Sequence, residues 1–80
     1  MMDSADAQKR LEELRAWLRK VADDPEPQRP RALEMREFAG EIFDAGYLDG
    51  EQYHLIYDLT AALSKGEDLE DRCAAVLRKV

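Results

Sequence analysis

Apolar residues along the chain recur at intervals of three and four, the spacing that gathers side chains on one face of a helix. In the first stretch, about residues 3–22, Leu11, Leu14, Leu18 and Val21 share a face, and Asp3 or Ser4 is placed to cap its first amides. The same four positions also read as a heptad seam, though one shorter than two heptads. Trp17 falls on the shoulder of that stripe. The second stretch, about 30–45, opens on Pro30, which suits a first helical position, and aligns Met35, Phe38, Ala39, Ile42 and Ala45. Gly46 then fits a left-handed helix ending, with Tyr47 packing back on Ile42.

The third stretch, about 49–65, starts at once. Asp49 and Gln52 have the spacing of a capping box, and Leu48 and Tyr53 that of a hydrophobic staple. Leu55, Ile56, Leu59, Ala62 and Leu63 form its core face, and Gly66 closes it. In the fourth stretch, about 68–80, Asp68 is the expected N-cap and Leu69, Cys73, Val76, Leu77 and Val80 make a narrow stripe. Arg78 and Lys79 in the last turn match the helix dipole.

Strand patterns are nearly absent: the chain has three Val, two Ile and no alternating run. The expected fold is therefore all-α, a small antiparallel bundle or orthogonal array of about four helices. All three prolines fall between 25 and 30, so residues 23–30 read as a linker between the first helix and the rest. At 80 residues there is room for a single domain, 1–80.

Composition narrows the function classes. The chain carries 12 Lys+Arg against 18 Asp+Glu, a net charge of −6. Binding to duplex nucleic acid or to an anionic membrane needs clustered positive charge, which this balance opposes. One Cys allows neither an internal disulfide nor a Cys-based zinc site. No apolar run approaches the ~20 residues of a membrane span. The densely charged first 20 residues contain no signal-peptide core, so a cytoplasmic location is the expectation.

Charge is unevenly placed. Residues 32–66 hold seven acidic side chains against two basic ones, Arg36 and Lys65. Glu34, Glu37, Glu41 and Asp44 fall within roughly 80° around the second helix. Like charges at this spacing cost helix stability. The stripe is a candidate docking face for a basic partner, unless Arg15 and Arg19 of the first helix neutralise it. Tyr53 and Tyr57 are one turn apart, off the leucine face of the third helix. With Phe43 and Trp17 they are candidate interface aromatics, since Tyr and Trp bury area while keeping a polar tip. Exposure of two of these four together would mark the patch.

Catalytic and metal patterns are weak. His54, the only histidine, shares a polar face with Glu51 and Asp58 and reads as a surface residue paired at i,i+4 rather than a metal ligand. Cys73 lies in an apolar stripe and reads as a small buried hydrophobe. Neither Gly46 nor Gly50 as the sixth position completes an EF-hand ligand set: the first puts Phe43 and Ala45 at three and five, the second Ala45 and Ile56 at one and twelve. Phosphate loops, nucleophile elbows and paired catalytic carboxylates are missing, so no enzyme, cofactor or metal is expected. Gly40, in mid-helix, leaves room for a close approach.

The expected function is a small acidic protein that binds and inhibits or regulates a basic partner protein, the nucleic-acid-binding surface of another protein being one option. Phage-encoded inhibitors, immunity proteins, antitoxins and anti-activators work in this manner. The alternative is an oligomerisation module, such as a homodimer, or a small subunit of a larger assembly. A helix-turn-helix regulator fits the tight 46–49 turn, but its reading helix would offer Glu51, His54 and Asp58 against a single Lys65.

Overall fold

A computed structural model describes residues 4–67 and 69–80, the side chain of residue 70 excepted. The fold is a small all-α bundle of four helices: α1 (Ser4–Asp23), α2 (Ala32–Asp44), α3 (Gly50–Lys65) and α4 (Glu70–Lys79). Each helix packs on the next, and α4 returns to lie against α1, so α1 and α3 stand on opposite sides of the core. Among the described residues, no helix is long and apolar enough to cross a membrane.

The core follows the helical period. Leu14, Leu18 and Val21 of α1 meet Met35, Ala39 and Ile42 of α2, Ile56, Leu59 and Leu63 of α3, and Cys73 and Val76 of α4. The leucine seam of α1 is thus spent inside the fold, with Leu11 half-buried against the same cluster. Burial of each Leu, Ile, Val or Met side chain here contributes about 1.5–3 kcal/mol before the entropy of ordering is counted.

The α2–α3 turn is built from local chemistry. Gly46 adopts φ 88°, its N–H reaches the Phe43 carbonyl at 3.0 Å, and the Tyr47 N–H reaches Ile42 at 3.0 Å. That pair of hydrogen bonds is a Schellman ending, and its left-handed residue favours glycine. Three residues later the Asp49 carboxylate accepts from the Gln52 amide at 2.8 Å, and the Gln52 side chain accepts from the Asp49 amide at 2.9 Å. Gln52 also donates to the Lys79 carbonyl at 2.7 Å, and Arg15 donates to that of Val80 at 2.9 Å. These two bonds satisfy carbonyls at the open end of α4.

Four expectations need correction. The 23–30 segment is not an open linker: Glu26–Arg31 forms a 3₁₀ helix, and α2 starts at Ala32 instead of Pro30. Proline's fixed φ is compatible with that tight helix, and its missing N–H costs little in a short piece. Trp17 is a core residue, 1% exposed, and its indole N–H finds no acceptor among the described residues. Leu77 is 41% exposed, because Cys73 and Val76 already fill the side of α4 that faces the core. Ala45 is also exposed, standing one residue past the end of α2. The expected caps Asp3 and Asp68 lie outside the described residues.

Candidate interaction surface

Helix α2 divides its outer surface between two neighbours. One flank faces α1, where Arg10 pairs with Glu41 and lies over the Phe38 ring at 5.4 Å. The other faces α3, where Phe43 stacks on Tyr53 and Arg36 reaches Thr60. Between the flanks, Leu33, Glu37 and Asp44 point outward.

The α3 flank carries a continuous ladder of rings. Phe43 and Tyr53 are stacked, with centroids 4.8 Å apart and planes 8° from parallel. Tyr57 meets Tyr53 edge-on at 6.3 Å and 64°. The Arg36 guanidinium lies over the far end, 4.5 Å from the Tyr57 centroid. Its Nε donates to Thr60 Oγ1 at 3.1 Å, and that hydroxyl donates to the Tyr57 carbonyl at 2.9 Å. Thr60 is fully buried, so both bonds matter to its position. Phe43 (36%) and Tyr57 (43%) remain exposed together, with Tyr53 half-buried between them. Leu33, one turn before Arg36 and Glu37, is 62% exposed.

The acidic stripe is unevenly neutralised. Glu34 pairs with Arg31 at 3.5 Å, and Glu41 pairs with Arg10, not with Arg15 or Arg19. On α3, Asp49 is consumed as the cap, Glu51 faces Lys79 at 3.4 Å, and Asp58 faces His54 at 3.4 Å. Among the described residues, Glu37 and Asp44 are the two acids of this region with neither an ion pair nor a hydrogen bond. Gly40 lies between them, and no packed side chain in the chain requires its missing Cβ.

Of the candidate residues, the structure brings together Phe43, Tyr53 and Tyr57, with Glu37 and Asp44 unpaired on the adjoining outward side of α2. It diverts Glu34 and Glu41 into internal pairs and removes Trp17 to the core. Sequence reasoning missed Leu33, Arg36 and Thr60. Leu33 was detectable, since it lies far around the helix from the Met35–Ile42 face.

The rest of the surface is less suggestive. A hollow of about 500 Å³ opens between the 3₁₀ helix and the ends of α3 and α4, lined by Arg29, Leu63, Leu69, Cys73 and Leu77 among others. Its charges are matched, Arg29 with Glu26 at 2.7 Å and Glu67 with Arg72 at 3.8 Å. Burial pushes the Cys73 thiol above its ordinary value, which leaves it less nucleophilic. Among the described residues, no group of three or more His, Cys, Asp or Glu could hold a metal ion.

Comparison with family models, with curated proteins and with solved structures finds no match.

Proposed function

We propose that this chain is a small acidic binding protein that docks on a basic partner protein through the outer face of α2 and α3 and thereby inhibits or regulates it. One observation carries the reading. Glu37 and Asp44, left without partners beside Leu33 on the outward side of α2, adjoin the α3 flank that exposes Phe43 and Tyr57. A patch that combines apolar anchors with uncompensated charge of one sign suits an interface: the aromatics supply buried area and the carboxylates steer the approach of a cationic surface. The mode of action resembles that of an immunity protein, an antitoxin, an anti-activator or a phage-encoded inhibitor.

The self-assembly reading loses its first motive, because the Leu11–Val21 seam is occupied within the monomer fold. The test is capture from nuclease-treated lysate of the native host, with wild type beside the Glu37→Lys/Asp44→Lys variant. The reading expects one stoichiometric basic protein with wild type and its loss with the variant. Retention of the same protein by the variant sinks the reading.

A further inference from the structure

We infer that the Phe43 end of the aromatic ladder is a receiver for an arginine side chain of the basic partner. This rests on the docking face proposed above and names the cation that face selects. The ladder already holds one guanidinium, that of Arg36 over Tyr57 at 4.5 Å, so the chain itself shows how a planar cation sits on these rings. Arg36 cannot serve the opposite end, since its Nε is bonded to Thr60. At that end, Tyr53 covers one face of the Phe43 ring, and the residue remains 36% exposed.

An exposed aromatic face attracts a cation through its quadrupole. Asp44 follows Phe43 directly in the chain and Glu37 precedes it by under two turns; neither has a partner. Gly40 stands between them without a side chain to obstruct the approach. A guanidinium can lie flat on the ring while its edge donates to a carboxylate in a fork. A lysine ammonium is a compact point charge, more strongly hydrated, and gains less from a flat surface. The arrangement therefore discriminates arginine from lysine, beyond attracting positive charge in general.

Fluorescence anisotropy with labelled octa-arginine and octa-lysine peptides at low salt tests this. Wild type should bind octa-arginine about fivefold more tightly than octa-lysine. Phe43→Leu, with its fold checked by circular dichroism, should bring the ratio to about one, and Phe43→Tyr should restore it. Glu37→Gln/Asp44→Asn should weaken both peptides. Equal binding of the two peptides by wild type, or a preference that survives Phe43→Leu, overturns the receiver while leaving the acidic face intact. If Glu37→Gln/Asp44→Asn changes neither affinity, or wild type binds neither peptide, the docking face falls along with it.

Discussion

Gly40 faces Tyr53 across the α2–α3 groove with room to spare: a Cβ at position 40 would stand 3.9 Å from the tyrosine hydroxyl. That is ordinary contact, so nothing within the chain requires glycine in the middle of α2. Gly40→Ala should therefore stabilise the fold by about 0.5–1 kcal/mol, through helix propensity and a less flexible unfolded chain. In urea unfolding the midpoint should rise with an unchanged slope. A lower midpoint would show that the groove needs bare backbone there.

Charge reversal separates the paired acids from the unpaired ones. Glu37→Lys places a cation one turn from both Glu34 and Glu41, so thermal stability should hold or rise by a few tenths of a kcal/mol. Glu41→Lys sets a second cation against Arg10 and should cost about 0.5–1 kcal/mol. Equal effects of the two reversals on Tm would mean that the Arg10 pairing does not persist in solution.

The turn that carries α3 depends on a reciprocal pair of bonds. Asp49→Ala should cost about 1 kcal/mol, the ordinary worth of an N-cap. Gln52→Ala removes both the return bond and the link to the Lys79 carbonyl. Since the two residues share one bond network, the double variant should cost less than the sum of the singles in denaturant melts. Strict additivity would argue against the box.

Much of this architecture was legible because it is local. The apolar faces of α1 to α3 follow a period of 3.6, and Gly46, Asp49 and Gln52 declare the turn within a few residues of chain. The misses share one cause: they depend on what lies opposite. Trp17 looks peripheral on its own helix and is buried only because the other elements close around α1. The three prolines signal a break in an α-helix and do not reveal that Glu26–Arg31 will wind as a 3₁₀ helix with Pro25 at its N-cap. In the candidate site, the residue types were readable. That Arg10 would take Glu41 and leave Glu37 and Asp44 unpaired is set by the register of α1 on α2, which no pattern within either helix encodes.

Cys73 predicts a pH signature. Burial raises its thiol above 9.0, so the folded protein still holds the proton where the unfolded chain has begun to release it. Its contribution to stability is intact below 9.0 and declines as pH climbs through the raised folded value. Unfolding free energies for wild type and Cys73→Ala, taken at several pH values from neutral upward, isolate this group. Wild type should lose ground relative to the variant above 9.0 only; a constant difference would mean that the thiol is solvated.

In the proposed docking, the outer face of α2 and α3 meets the partner and the α1–α4 side stays free. Hydrogen exchange on the chain, free and in complex with the captured basic protein, reads this out helix by helix. Protection should be added in α2 and α3, with α1 and α4 unchanged. Protection concentrated in α1 and α4, with α2 and α3 exchanging as in the free protein, would contradict the proposed docking.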